Sequence, residues 1–388
     1  MTDILENTIG ILEQLVGFPS ISGEPNHEII GYINHLLSAQ GIACNLTYDP
    51  TGEQANVFAT IGPAIDGGVV LNGHTDVVPV EGQDWASDPF TLTRRSERFY
   101  GRGSVDMKGF LACVLGAVPM FQAAELKRPV HIAFSYDEEI GGLGMPGLLD
   151  GMAQEPFRPS IVLVGEPTEM KIVTGHKGGA EMRTEITGFA VHSSQPAKGV
   201  NAITVAVKLI TKIEEIAARL AARPHPGSPY DPPYCTFNVG TIEGGLARNA
   251  TAGWCSFNWE TRPMPGEGDA AMIAEIQDYA INVLLPQMKA VSDEADIRII
   301  TEVNVPPLDD RNAELAAAFV TEITGQNARE VVSFGTDAGY FSDKGLSTVV
   351  VGPGSIARAH RPDEYIELAE IQQGLEFMRA IAARLARD

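Results

Sequence analysis

The sequence predicts an α/β protein in which a smaller α/β module interrupts a larger one. Three observations carry that reading. Short aliphatic runs at Val69–Leu71, Val130–Phe134 and Ile161–Val164 read as buried strands. Each runs into acidic residues or a histidine: His74 and Asp76, then Asp137-Glu138-Glu139, then Glu166. Between residues 180 and 303 the pattern is strand, helix, strand, strand, helix, strand, which is the split ferredoxin-like order βαββαβ. After Pro306-Pro307 the α/β alternation resumes. The expectation is therefore one discontinuous domain, 1–178 with 305–388, around an inserted domain, 179–304. A chain of 388 residues is long enough for two such cores.

The elements follow in order. Ile4, Leu5, Ile9, Leu12, Leu15 and Val16 recur at helical spacing, and a second amphipathic helix is expected over 26–39. Strands are predicted at 43–48 and 55–61, ahead of the His74 strand. Tyr100-Gly101-Arg102-Gly103-Ser104-Val105-Asp106-Met107-Lys108-Gly109 is a glycine-rich turn that feeds an apolar helix over 109–124. Its spacing is not that of a phosphate loop. In the insert, strands are predicted at 180–187, 236–242, 253–262 and 297–303, with helices at 201–222 and 269–288. Beyond it come a helix, strands at 331–334 and 347–351, and a closing helix over 368–387.

Composition narrows the function. A net charge of −22 and a pI near 4.7 argue against nucleic-acid and anionic-membrane partners. The acidity either draws in a cationic substrate or metal ions, or serves solubility and salt tolerance. Cys44, Cys113, Cys235 and Cys255 are scattered without metal-ligand or redox spacing and read as free thiols. Residues 1–16 carry Asp3, Glu6 and Glu13 without a basic start, which is not the pattern of a signal peptide. No apolar run reaches membrane-spanning length, and a cytoplasmic location is expected.

His74 and Asp76 stand two apart at a strand end, so both side chains leave it in the same direction. Taken alone, the pair is either a metal ligand oriented by a carboxylate or a strand running into a polar loop. Three strands that all end in such residues tip the balance, because the C-terminal edge of an open α/β sheet is where ligands bind.

Five segments then fall in sequence: Gly73-His74-Thr75-Asp76-Val77-Val78-Pro79, Gly101–Gly109, Asp137-Glu138-Glu139, Gly165-Glu166-Pro167-Thr168 and Ala359-His360. Over its whole length the chain resembles the di-zinc amidohydrolases and exopeptidases. That family includes acetylornithine deacetylase, succinyl-diaminopimelate desuccinylase, aminoacylases and glutamate-releasing carboxypeptidases. The resemblance implies a mixed-sheet, zinc-exopeptidase-like catalytic domain with a ferredoxin-like lid that also makes a homodimer. It implies two zinc ions, with cobalt able to substitute. Asp106 would bridge them, His74 and Glu166 would complete one site, and Glu139 and His360 the other. Glu138 would be the general base, Asp76 would orient His74, and a cis Asp106–Met107 bond is expected. In the insert, Val191-His192-Ser193-Ser194-Gln195-Pro196 resembles the segment whose histidine donates to the oxyanion, in relatives at the neighbouring subunit's metals. Asn249 and Arg262 resemble substrate-holding positions, although Arg262 also stands where it can pair with Glu260 on its own strand face. Ala252 stands where the family commonly has proline.

Phe334-Gly335-Thr336-Asp337-Ala338-Gly339-Tyr340 discriminates among substrates. The desuccinylase branch tends to show Gly-Thr-Ser-Asp-Gly-Arg here, and this chain has Tyr340 in place of the arginine. The deacetylase branch tends to show Gly-Thr-Glu-Ala, one methylene longer than Asp337. A carboxylate at that point suits a substrate with a cationic side chain. The resemblance therefore implies a small N-acyl amino acid substrate, N2-acetyl-L-ornithine first. A related N-acyl diamino acid (N-acetyl-diaminobutyrate or succinyl-diaminopimelate) or a dipeptide stays open. A metal-free binding protein would show a lost ligand or base, and none is lost.

Overall fold

The aliphatic runs become the middle of one mixed sheet. The computed structural model describes residues 2–267 and 269–387. It divides into two units, Met1–His176 with Leu308–Asp388, and Lys177–Pro307. These bounds differ by two or three residues from the expected ones because backbone pairing fixes the crossing. His176 and Leu308 exchange N–H···O bonds of 3.3 and 3.1 Å, so the strands leading out and back close on each other there.

The first unit begins with helices α1 (Thr2–Val16) and α2 (His27–Ser38) and strands β1 (Cys44–Tyr48), β2 (Ala55–Ile61) and β3 (Val69–His74). Two short strands follow, β4 (Thr93–Arg95) and β5 (Arg98–Tyr100), then α3 (Lys108–Gly116), α4 (Val118–Ala123) and β6 (Val130–Ser135). The helix expected over 109–124 is thus two helices. Pro119 lies in the first turn of α4, where its missing N–H costs nothing, and would have broken a continuous helix. Helix α5 (Met145–Gln154) and strands β7 (Ile161–Val164) and β8 (Ile172–His176) complete this part.

The second unit holds β9 (Gly179–Thr187), α6 (Ala202–Ala221), β10 (Thr236–Gly244), β11 (Trp254–Arg262), α7 (Ala270–Asp278), α8 (Leu285–Lys289) and β12 (Asp296–Val305). The helix expected over 269–288 contains a π-helical turn, Tyr279–Leu284, ahead of Pro286. The four antiparallel strands lie in the order β10-β11-β9-β12. Alternation along β11 buries Cys255, Phe257 and Trp259 with Leu209 and Ile213 of α6 and Ile276 of α7. Other apolar side chains remain outside: Ile203 and Val207 of α6, Ile242 of β10, Leu246 and Trp254.

The chain returns as α9 (Glu314–Thr324), β13 (Arg329–Val332), α10 (Ala338–Asp343), β14 (Ser347–Val350), β15 (Tyr365–Glu367) and α11 (Leu368–Leu385). Among the described residues the large sheet has eight strands in the order β1-β2-β6-β3-β7-β14-β8-β13. Its middle, β6-β3-β7-β14, is parallel throughout. Period-two alternation sends Val69, Leu71, Ile161 and Leu163 into one core, with α1, α3 and α11. It sends Val70, Val162 and Val164 into the other, with Leu148 of α5 and Phe341 of α10. Both faces are covered, which explains the unbroken aliphatic runs. Strands β4, β5 and β15 form a separate small sheet that the sequence reading did not contain, as it did not contain β8, α5 or α10. Among the described residues no helix is long and apolar enough to cross a membrane.

Candidate metal centre

The parallel strands deliver the predicted side chains to one edge. His74 is the last residue of β3, Asp137-Glu138-Glu139 follow β6, and Glu166 stands two residues beyond β7. Asp106 precedes α3, and His360 lies on the loop after β14. Close backbone approach makes this convergence possible. A Cβ at Gly165 would come within 2.2 Å of the Phe110 ring, and Gly103, at φ +78°, lies where a Cβ would strike Val77. The Asp106–Met107 bond is cis, as expected.

Asp106 is shared. Its Oδ1 lies 3.2 Å from His74 Nε2 and its Oδ2 lies 3.2 Å from His360 Nε2. Glu166 Oε1 is 3.6 Å from His74 Nε2, and Glu139 is 3.0 Å from His360 Nε2. Ligand atoms of His74, Asp106 and Glu139 fall within 4.8 Å of one another, as do those of His74, Glu138 and Glu166. His74 Nδ1–H donates to the backbone oxygen of Asp76 at 2.9 Å, which points the other nitrogen at the carboxylates. The Asp76 carboxylate stands 3.5 Å from Nδ1, and its stronger contacts are elsewhere. It accepts from Glu138 N at 3.1 Å, Glu139 N at 3.2 Å and Ser22 Oγ at 2.7 Å. The carboxylate expected to orient one imidazole thus chiefly holds the turn that carries Glu138 and Glu139. That turn starts at Asp137, which has φ +55° and is pinned by Gly23 N and Gln54 Nε2.

The electrostatics ask for cations. Burial, reinforced by Glu166, pushes the Glu138 carboxyl well above its usual range. Burial and then Asp106 do the same for Glu166 and, more mildly, for Glu139. Burial opposes protonation of His74, yet Asp106 and Asp76 hold its pKa well above the ordinary value. Bonds to Asp106 and Glu139 raise His360 to about 10. Glu166 Oε1 is buried without a hydrogen-bond partner. A donor set of imidazoles and carboxylates without thiolate, with one carboxylate between two histidines and one orphaned oxygen, fits two divalent ions.

Asp337, expected to read a substrate's cationic side chain, lies beside this cluster. It is 2% exposed, and its Oδ2 accepts from Ser135 Oγ at 2.5 Å. Its Oδ1 is buried without a hydrogen-bond partner, and burial raises its carboxyl to about 6. Tyr340 donates its hydroxyl to Gly141 O at 2.6 Å and so braces the turn after Glu139.

The remaining expected residues belong to the second unit. His192 is exposed, its Nδ1 2.8 Å from Ser194 Oγ. Asn249 accepts from Ser193 N through its backbone oxygen at 3.1 Å. Arg262 is paired with Glu260 at 2.6 Å, one of the two arrangements the sequence left open. Sequence reading missed Glu364 and gave Arg102 no role beyond its place in the glycine-rich turn. The two form a buried ion pair of 2.6 Å behind Asp106, and only the proximity of Glu364 to His360 in the chain hinted at it.

Residues 70–384 match the family described as peptidase family M20/M25/M40. The chain is 32% identical over 381 residues to acetylornithine deacetylase of Proteus mirabilis, covering 96% of this chain and 95% of that one. Its fold is similar to that of an M20 family metallo-carboxypeptidase from Sulfolobus solfataricus, with a TM-score of 0.72 and 19% identity over 98% and 99% of the two chains. It is also similar to a dinuclear metal binding peptidase from the M20 family of Bacillus subtilis, with a TM-score of 0.67 and 14% identity over 99% of each chain.

Charge crowding has a measurable consequence in chelated protein. Glu138, Glu139, Glu166, Asp337, His74 and His360 all titrate higher than in an unfolded chain. The folded, metal-free protein therefore holds extra protons from pH 4.5 upward, and its stability falls as pH rises through the raised values. Bound cations replace those protons. The gain in Tm from saturating Zn2+ is expected to be larger at about pH 8 than at about pH 5.5. Groups outside the cluster affect both forms alike, so an equal gain at the two pH values would refute the crowding.

Proposed function

The chain belongs to peptidase family M20/M25/M40 and is a metal-dependent hydrolase; from that premise we propose that it cleaves the N-acetyl amide of N2-acetyl-L-ornithine to give L-ornithine and acetate. One observation carries the chemistry: a single carboxylate, Asp106, lies between His74 and His360 with Glu138 beside them. The substrate is supported by similarity along nearly the whole chain to a protein named acetylornithine deacetylase. It is supported as well by Tyr340, which offers no positive charge to a succinyl carboxylate and whose hydroxyl is committed to Gly141.

His74 and Glu166 would hold one zinc ion, Glu139 and His360 the other, and Asp106 both, with cobalt able to substitute. The ions would polarise the amide carbonyl and acidify water. Glu138 takes the proton of the attacking water and passes it to the leaving nitrogen, so that the amine departs neutral. Asp76 keeps Glu138 in place through the Glu138 and Glu139 N–H groups. His192 donates to the oxygen that gains charge as the carbonyl is attacked. Asn249 holds substrate, and Arg262 swings from Glu260 to the substrate α-carboxylate, which its fork fits.

We further propose a homodimer through the second unit in which His192 serves the partner's centre. Support comes from the exposed apolar side chains Ile203, Val207, Ile242, Leu246 and Trp254 and from β10, an edge strand that pairing would cover.

A substrate panel tests the reading. Zinc-loaded enzyme is expected to turn over N-acetylornithine with a higher kcat/KM than N-acetyl-diaminobutyrate, succinyl-diaminopimelate or a dipeptide, and a faster competitor would replace the substrate. Base and ligand are separable. Glu138→Gln should keep its metal content and lose about 10²–10⁴ in turnover, whereas Glu139→Gln should lose metal. Equal metal loss in both would show the roles to be misassigned. Mixing His192→Ala with Glu138→Gln subunits tests action in trans. About half the dimers would be mixed, each with one intact site, which restores about a quarter of wild-type activity. No recovery after demonstrated exchange refutes the trans arrangement.

A further inference from the structure

Behind the metal centre lies a second carboxylate that touches no ligand side chain. Glu364 is 1% exposed. Its Oε1 accepts from Val105 N at 2.9 Å and Asp106 N at 3.1 Å. Its Oε2 accepts from Gly103 N at 3.1 Å and Arg102 Nη1 at 2.6 Å. Its backbone oxygen accepts from Gly101 N at 3.0 Å. The loop that presents Asp106 therefore closes around one residue. Arg102 extends the network, with Nη2 donating to Gln83 Oε1 at 2.6 Å and its guanidinium 5.0 Å from the Trp85 ring. Gln83 Nε2 in turn donates to the backbone oxygen of His360 at 3.2 Å.

These bonds join two ligands that lie on loops outside the large sheet, beyond the pairing of β5 with β15. His74 is fixed by the β3 ladder, and Glu166 follows Gly165, whose N–H donates to Asn72 O at 3.0 Å. His360 has no such support. It lies in a loop where His360 itself (φ +61°) and Asp363 (φ +56°) adopt the left-handed region, which non-glycine residues hold only when their surroundings impose it. Glu364, four residues on, ties this loop to Asp106 beside the β5–β15 pairing.

We propose that Glu364, acting with Arg102 and Gln83, is a positioning residue that sets Asp106 against His360 and thereby retains the second ion. This rests on the two-metal reading above. A buried Arg–carboxylate pair that served the fold alone would have no reason to take the N–H of the bridging ligand itself. Residues that orient ligands from behind change metal affinity by about 10–100-fold.

Calorimetric titration of chelator-stripped protein with Zn2+ tests this, read beside the far-UV circular dichroism and apo-protein Tm of each variant. Wild type should bind two ions. Glu364→Gln keeps the volume but turns an amide N–H toward backbone N–H groups. It should bind the tighter ion as wild type does and the other about 10–100-fold more weakly. Folded Glu364→Gln protein that binds two ions at wild-type affinity, even with a lowered apo Tm, overturns the inference, since a merely structural role predicts that result. Should Glu364→Gln not fold, Gln83→Ala decides by the same measure. It removes the bond to His360 O and those that Gln83 Oε1 accepts from Arg102 Nη2 and Trp85 Nε1 while leaving Glu364 in place, and two ions at unchanged affinity there overturn the proposal. Wild type that binds fewer than two ions overturns the two-metal reading and this inference together.

Discussion

Asp76, Asp106, Glu138, Glu139, Glu166 and Asp337 crowd the C-terminal edge of the large sheet, facing two imidazoles, His74 and His360. Taking that much negative charge out of water is the constraint on which the rest of the structure turns. A buried carboxylate without a partner costs several kcal/mol even after the protein relaxes around it, about the margin by which a domain is stable at all. The fold tolerates the cluster because the ends of β3, β6 and β7 meet where cations would make the charges mutually supporting. Without them, protons must do the neutralising, which is why the glutamates and both histidines are displaced toward their protonated forms.

The acids of this region divide by what their oxygens touch. Asp76 and Glu364 accept backbone N–H groups or a hydroxyl on both oxygens, with Arg102 added at Glu364, so their lone pairs are spent on shaping loops. Glu166 keeps an oxygen with no partner, and Asp106 faces only imidazoles. A carboxylate saturated by donors has little left to offer a cation, whereas one left unsaturated in a buried place is open to one. Asp337 stands between the two groups, with Oδ2 bonded to Ser135 and Oδ1 buried without a partner.

Much of this was legible in the sequence, for a physical reason. A parallel strand buried on both faces must be aliphatic from end to end, so a histidine or acid at its C-terminus stands out against its own strand. His74, Glu138, Glu139 and Glu166 were visible in that way. What stayed hidden depends on partners far away in the chain. Arg102 and Glu364 are 262 residues apart, and neither sits in a pattern that announces a buried pair. Strands β4, β5 and β15 are three residues each, too short for alternation to register. The burial of Asp337 against Ser135 was hidden, because a carboxylate beside a glycine-rich turn looks the same in sequence whether it faces solvent or a buried hydroxyl. Arg262 and Glu260 lie two apart on one strand, so their pairing was foreseeable but not decidable, since the same spacing leaves the guanidinium free to turn.

Glu138 shows how opposing effects set a functional group. Burial and the neighbouring Glu166 push its carboxyl well up, which favours the protonated form and opposes a role as base. Cations among the surrounding carboxylates would offset the repulsion from Glu166 and Glu139 but not the loss of hydration that burial imposes. What remains is the desolvation, an upward push that makes the carboxylate more basic than one in water. A general base works best with a pKa near the pH at which it operates. In the proposed reaction the same crowding that requires the ions therefore also tunes the residue that takes the water's proton.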